Sequence, residues 1–289
     1  MAALRYLENQ RMAQPELADW YNSLADLYER KLWHQLTLKL EQFVALAVLQ
    51  AGDALIQLYH NFISEFESKI NLLKLAHFTV IVSRQYVEKE VAIHYLEEVI
   101  EKFRASKERR IEEPILYVKM QIAGLKLQRG DQKECKVLLE EGKATLDSMT
   151  DVDPSVHASV HWVSSQYHKS RQEFAEFYKS ALLYLAYTSV ESLSEPFKLD
   201  LAFDLSLAAL LGENIYNFGE LLAHPIAVTR FNNVRICRFL SPHVGRTILG
   251  WLLVAVTENQ LIRGTNTLIS DFCKFYISVC VLKTRVIKA

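Results

Sequence analysis

Apolar residues recur three and four positions apart through most of the first 211 residues, the spacing of amphipathic helices. Leu32, Leu36, Leu40, Phe43, Val44 and Ala47 form one stripe. Leu55, Tyr59, Phe62 and Phe66 form the next, spaced four, three and four. Between Val91 and Phe103 the pattern predicts Tyr95, Leu96, Val99 and Phe103 inward, with Glu97, Glu98, Glu101 and Lys102 outward. Start signals punctuate the stripes. Pro15-Glu16 opens a helix through Trp20, Leu24, Leu27 and Tyr28, a proline being tolerated in the first turn. Gly52-Asp53 reads as a turn with an N-cap, and Asn71 caps a helix running to about Tyr86.

Residues 114–149 give the clearest hairpin. Ile115 to Leu127 is helical, Arg129-Gly130-Asp131 turns, and Cys135, Leu138, Leu139, Gly142 and Leu146 line the return helix. Asp153-Pro154 starts another pair: Val156 to about His168, then a helix bearing Phe174, Tyr178, Ala181, Leu182 and Leu185. Glu195-Pro196 opens a helix whose stripe is Phe203, Leu207, Leu210 and Leu211. Gly212 and Asn214 suit its end and a turn. Asn217 then suits the N-cap of a short helix, with Glu220 three residues on as in a capping box, and Pro225 ends it. The sum is ten or eleven helices and no strand before residue 226. The expected fold is an all-α solenoid of helical hairpins, a degenerate tetratricopeptide-like or PCI helical repeat, followed by a tail that does not match.

After Pro225 the periodicity stops. Phe231-Asn232-Asn233-Val234-Arg235 and Ser241-Pro242-His243-Val244-Gly245 carry no period, and Thr247 to Val256 and Phe272 to Leu282 are apolar runs without stripes. Charge changes at the same place. Residues 1–225 hold 24 Lys and Arg against 32 Asp and Glu, a balance of −8; residues 226–289 hold 9 against 2, a balance of +7. The tail arginines show no helical clustering, which argues against a nucleic-acid surface. With half of its 289 residues hydrophobic, and only nine glycines and six prolines, the chain favours long packed helices over disorder or many-turned β structure. Met1 to Gln14 lacks a signal-peptide core, and the longest apolar run, Thr247 to Val256, is about half a membrane span, so a soluble location is expected. Cys135, Cys237, Cys273 and Cys280 include no CxxC pair, the usage of a reduced intracellular protein.

Catalytic motifs are missing: there is no G-x-G-x-x-G, P-loop, G-x-S-x-G or H-E-x-x-H. His157, His161 and His168 would share one helical face. At 1.5 Å per residue His168 lies about 10 Å beyond His161, too far for one zinc ion, so packed-edge histidines beside Trp162 are the favoured reading. Cys273 and Cys280, seven apart, are read as small apolar residues rather than a chelate. Glu97-Glu98 and Glu140-Glu141 read as solvated faces and Lys107-Glu108-Arg109-Arg110 as a surface loop. No metal, cofactor or catalytic residue is expected.

Three blocks now stand out: Lys31-Leu-Trp-His-Gln-Leu-Thr-Leu38, Leu58-Tyr-x-Asn-Phe-Ile-Ser-Glu-Phe-Glu67 and Leu211-Gly-Glu-x-Ile-Tyr-Asn-Phe-Gly-Glu-Leu-Leu-Ala-His-Pro225. They closely resemble the family of 26S proteasome non-ATPase regulatory subunit 13, in the same order and spacing, over about residues 16–226. The resemblance implies an N-terminal array of helical hairpins, then a PCI domain with a helical part and a winged helix, then a terminal helix. Mapped here, it gives an array at 1–170, the helical start of a PCI domain at 171–226, and a divergent basic tail at 227–289, expected to be poorly ordered or weakly packed. It implies a non-catalytic scaffold that helps assemble the lid of the regulatory particle, which deubiquitinates substrates and feeds them to the proteasome. The partners implied are other lid subunits, with no nucleic acid and no membrane, and the location is cytoplasm and nucleus. Asn217, Phe218, Gly219, Glu220 and His224 are its candidate interface residues. The alternative is a tetratricopeptide-like adaptor holding a peptide or protein partner in a concave groove.

The departure from the family falls at Ile226. The tail reads as an alternative exon, a retained intron or a misjudged gene model, with the winged helix missing. Family members meet mainly through winged-helix edges and terminal helices, so that reading implies a less stable chain that enters the lid poorly.

Overall fold

The computed structural model describes residues 2–50, 52–106, 108, 110–213, 215 and 224–226. Among these residues it contains eleven α-helices, several single 3-10 turns and no strand. The helices are α1 (Ala2–Ala13), α2 (Ala18–Glu29), α3 (Trp33–Val44), α4 (Ala54–Asn61), α5 (Leu72–Ser83), α6 (Lys89–Ala105), α7 (Glu112–Arg129), α8 (Gln132–Ser148), α9 (Pro154–Ser170), α10 (Phe174–Ala186) and α11 (Glu195–Leu211). The chain divides into two compact units: residues up to Ser170 with Ala186–Thr188, and Arg171–Leu185 with the described residues from Ser189 onward.

In the first unit, neighbours in sequence pack as neighbours in space: α1 on α2, α2 on α3, α4 on α5, α5 on α6, α6 on α7, α7 on α8 and α8 on α9. Longer-range pairs, α1 with α4, α3 with α5, α5 with α7 and α7 with α9, stack one hairpin on the next. This is the packing of a helical repeat, in which each unit buries its apolar face only against adjacent units.

Helix α7 explains how two cores coexist. Val118 and Ile122 join a core built from α1 to α6, while Leu116, Met120 and Ala123 join a second core with Cys135, Leu139 and Leu146 of α8 and Val156, Val160, Val163 and Tyr167 of α9. A helix apolar on both sides is one buried on both sides. Its end is set by Gly130, whose φ of +97° is left-handed. Gly130 N–H donates to Leu127 O and Asp131 N–H to Lys126 O, closing the last turn. Gly142 of α8 faces α7 so closely that a Cβ there would lie 2.5 Å from Met120 Cε and 3.2 Å from Leu116 Cδ1.

Several expected boundaries move. Residues Ala2–Ala13, read only for targeting signals, form α1, anchored by Ala3 and Leu7. Pro15 begins a 3-10 turn, Pro15–Leu17, and α2 starts after it. Leu32 precedes α3 and is exposed; Ala47 lies beyond it and is exposed as well. Helix α4 stops at Asn61, so Phe62 and Phe66 flank the short 3-10 turn Ile63–Glu65, yet both are buried. Asn71 caps α5 as expected: its Oδ1 accepts from Leu73 N–H at 2.9 Å and Lys74 N–H at 3.3 Å. Asp53 occupies the N-cap position of α4 but makes no capping bond.

In the second unit, α10 buries Phe177, Tyr178, Ala181 and Leu185. On α11 the buried face is Leu201, Ala202, Leu205, Ala208 and Ala209; the expected Phe203, Leu207 and Leu211 are only half-buried. Gly212 ends α11 with φ −73°, so its role is not left-handed geometry. A Cβ there would crowd Ile215 Cδ1 and lie 2.8 Å from Ala208 O, so a side chain would force the Ile215 side chain and the Ala208 carbonyl to shift. Pro225 and Ile226 are themselves helical and His224 before them is not. The short helix expected before Pro225 lies outside the described residues.

Candidate interaction surface

The first two sequence blocks, 20 residues and more apart along the chain, meet in the first core. The Trp33 indole stacks on the Phe66 ring, centroids 5.7 Å apart and planes 18° apart. Tyr28 packs edge-on against both, at 5.8 Å from Trp33 and 5.7 Å from Phe66. Phe62 closes the cluster, 5.0 Å from Phe66 and 5.5 Å from Tyr28. Edge-to-face and offset stacks of this kind stabilise beyond area burial alone.

The acids of the second block serve the same join. Glu65 accepts from the Tyr28 hydroxyl at 2.8 Å and from Ala3 N–H at 3.1 Å, tying α1 and α2 to the turn after α4. Burial, and then the bond to Glu65, pushes the Tyr28 phenol pKa up. Glu67 accepts from the Tyr59 hydroxyl at 3.0 Å. The rings of Phe62, Phe66 and Tyr59 are buried, while Glu65 is exposed and Glu67 half-buried at the edge of the join. The first block offers His34, Gln35 and Leu38 outward on α3, continued by Gln42 one turn on, with Leu38 45% exposed. Beside it Lys39 Nζ lies 4.0 Å over the Trp20 ring, a cation–π contact.

Of the expected interface residues, Asn217, Phe218, Gly219 and Glu220 lie outside the described residues. His224 is described: its Nδ1 stands 3.3 Å from Ile226 N and accepts its N–H, and Ile226 is fully buried. The tail residues 227–289, with Cys237, Cys273 and Cys280, also lie outside.

The histidines form no metal site. His157 and His161 both stack on Tyr187, at 4.5 and 5.7 Å with planes 8° and 11° apart, and His168 contacts Tyr167. Burial, then His157 and Lys143, lowers the His161 pKa, so its imidazole is neutral near pH 7. Among the described residues no three His, Cys, Asp or Glu side chains converge to hold a metal ion. Glu98 pairs with His94 at 3.2 Å, Glu140 with Lys136 at 3.5 Å and Glu141 with Lys119 at 3.7 Å, all at the surface, which makes these acids solvated ion pairs. No described helix is long and apolar enough to cross a membrane.

Sequence reasoning missed one polar cluster. Ser155 Oγ lies 3.2 Å from His77 Nε2 and donates to Asp153 Oδ1 at 2.6 Å, and His77 packs edge-on to Tyr117 at 4.5 Å. The residue types are those of a hydrolase triad, but the order is wrong. In a triad the carboxylate holds the imidazole and the imidazole takes the serine proton. Here the carboxylate takes the serine directly and also accepts from Ser155 N–H at 2.8 Å. The cluster caps α9 and ties it to α5. Its members are 76 and 78 residues apart along the chain, so no local spacing could reveal it.

A sequence-family profile described as PSD13 N-terminal repeats matches residues 20–234. The chain is 76% identical to 26S proteasome non-ATPase regulatory subunit 13 homolog A of Arabidopsis thaliana over 226 residues, 78% of this chain and 58% of that one. The chain belongs to the PSD13 family. A Dictyostelium discoideum 26S proteasome non-ATPase regulatory subunit 13 is 36% identical over 226 residues, 77% of this chain and 57% of the relative. The 26S proteasome regulatory subunit RPN9 of Saccharomyces cerevisiae is 33% identical over 230 residues, 76% of this chain and 58% of the relative. The chain therefore spans less than two thirds of the length of these PSD13 relatives. The family match runs past residue 226, where the resemblance was expected to stop, and takes in residues 227–234.

Proposed function

We propose that the chain is a non-catalytic structural subunit of the lid of the 26S proteasome regulatory particle, acting in lid assembly for ubiquitin-dependent protein degradation. The observation that carries this reading is the 76% identity to a relative named as a non-ATPase regulatory subunit of the 26S proteasome. The packing of the described residues supports it. The family blocks are spent on joining helices, and the Asp153, Ser155 and His77 cluster is spent on a helix cap. Surfaces of a stacked helical array act by shape and contact rather than by a chemical step. The partners are other lid subunits, met without nucleic acid or membrane, in cytoplasm and nucleus.

Affinity purification of the tagged chain from cells tests this. Lid subunits recovered well above an untagged control support the reading, as does staining of the tag in both compartments. Recovery of a chaperone or single client without lid subunits overturns it in favour of a tetratricopeptide-like adaptor. Loss of a hydrolytic activity on His77→Gln would overturn the non-catalytic part.

A further inference from the structure

A polar cavity of about 160 Å³ lies between α1, α2 and the segment from α3 to α4. Its polar lining is Tyr6, Gln10, Gln14, Tyr21, Asp53 and Gln57. Phe43, Leu49 and Leu58, all buried, form the apolar part. Asp53 and Gln57 are exposed, so the cavity opens to solvent beside them.

Its hydrogen-bonding capacity is only partly used. Tyr21 donates to Gln14 Oε1 at 3.1 Å, and Gln57 donates weakly to Asp53 Oδ2 at 3.4 Å. The Tyr6 hydroxyl and the Gln10 amide have no hydrogen-bond partner among the described residues. The second carboxylate oxygen of Asp53 has none either. Asp53 is the one charged residue in the lining. Burial first, then Tyr21 and Asp53, pushes the Tyr6 phenol pKa up, and Tyr6 and Asp53 line the same cavity.

We infer that this cavity receives the guanidinium group of an arginine side chain from a protein partner. A planar five-donor cation matches the acceptors that no other group of the described residues engages: a carboxylate oxygen, an amide carbonyl and a phenol oxygen, with aromatic rings alongside. Size argues for a side chain over a metabolite, since small-molecule sites run to roughly 300–1,000 Å³. Asp53, the one charged residue of the lining, makes the cavity favour a cation over a neutral group. That the arginine belongs to a protein rests on the reading of the array as a contact surface; the pocket chemistry does not.

The test uses the full chain and three blocked amino acids: N-acetyl-arginine amide, N-acetyl-lysine amide and the neutral isostere N-acetyl-citrulline amide. Side-chain amide resonances of Gln10, Gln14 and Gln57 are followed by nuclear magnetic resonance. The expected result is saturable shifts with the arginine compound, weaker binding of lysine and none of citrulline. Asp53→Asn should weaken arginine binding by roughly ten-fold or more, the range of a lost charge-assisted hydrogen bond. Tyr6→Phe should weaken it less. Citrulline binding as well as arginine, lysine matching arginine, or no saturable shift at all overturns the inference. The wild-type comparison decides even if a variant fails to fold. The pocket can bind arginine in a chain that never joins a proteasome, so this outcome and that of the purification are separable.

Discussion

Trp33 lies flat against Phe66, 5.7 Å between centroids, across a gap of 33 positions in the chain. The first is half-buried at the start of α3; the second is 2% exposed in the irregular segment after α4. Around them Tyr28 and Phe62 complete one aromatic cluster. Two blocks that identify the family are thus one structural joint. Phe66→Ala should cost about 3–5 kcal/mol of stability, the range for emptying a buried aromatic site. Trp33→Ala should cost less, its ring being partly solvated already. A double-mutant cycle by urea denaturation should return a coupling of about 0.5–1.5 kcal/mol. Additive losses would show that the stack is incidental.

Two glycines in the α7–α8 hairpin should respond in opposite directions. At Gly124, in the interior of α7, a Cβ would meet only Val163 Cγ2 at 3.9 Å, ordinary contact. Gly124→Ala should stabilise by about 1 kcal/mol, the helix-propensity difference. At Gly142 the same methyl would lie 2.5 Å from Met120 Cε, and Met120 is fully buried. Overpacking costs about 1–3 kcal/mol, enough to outweigh the same propensity gain. Gly142→Ala should therefore lower the thermal midpoint while Gly124→Ala raises it. Shifts of the same sign would refute the packing argument.

How much of this was legible in sequence depends on the range of the interaction. Periodicity placed α6 and α8 with their buried faces, because each stripe follows from 3.6 residues per turn, and it placed α7 as a helix without a face, since α7 is buried on both sides. It extended α4 through Phe62 and Phe66, since those rings fall on the stripe even though the helix ends at Asn61. Tertiary burial, not helicity, explains their spacing. Helix α1 went unread because only Ala3 and Leu7 anchor it, too few to make a stripe. On α11 apolar residues lie on more than one side, and the buried face, Leu201, Ala202, Leu205, Ala208 and Ala209, is not the stripe of Phe203 and Leu207. The pairing of the two family blocks, the His77–Ser155 contact and the cavity beside Asp53 all join distant segments, which no window of one helix contains. The candidate residues Asn217 to Glu220 lie outside the described residues.

His77 makes stability depend on pH. Burial lowers its pKa below the ordinary 6.5, and Lys74 acts the same way; Asp153 and Glu41 oppose them without prevailing. Below about pH 6.5 the unfolded chain takes up a proton that the folded imidazole resists. The unfolded state then binds more protons, so stability present above that pH is lost as pH falls through it. His161, lowered mainly by burial, adds in the same direction. The urea midpoint should fall between pH 7.5 and 5.5, and His77→Gln should flatten part of that slope. A midpoint that rises on acidification, or a slope unchanged in the variant, would show that His77 carries none of it.

Three side chains of one chemical type stand before helices, and they should not weigh alike. Asn71 accepts from two backbone N–H groups at the start of α5. Asp153 accepts from Ser155 N–H at 2.8 Å and from its hydroxyl at 2.6 Å, and burial opposes the resulting fall in its pKa without cancelling it. Asp53 makes no capping bond to α4. An N-cap contributes by satisfying donors that the first turn leaves open, so only a side chain in place to accept can stabilise. Asn71→Ala should cost about 1 kcal/mol. Asp153→Ala should cost at least as much, because it also releases Ser155 from the join with His77. Asp53→Ala should stay within about 0.5 kcal/mol of the parent, like other surface changes. Chemical denaturation of the three variants at pH 7.5 measures the order. Equal losses at all three positions would mean that residue type, and not the bond it makes, sets the value of a cap in this chain.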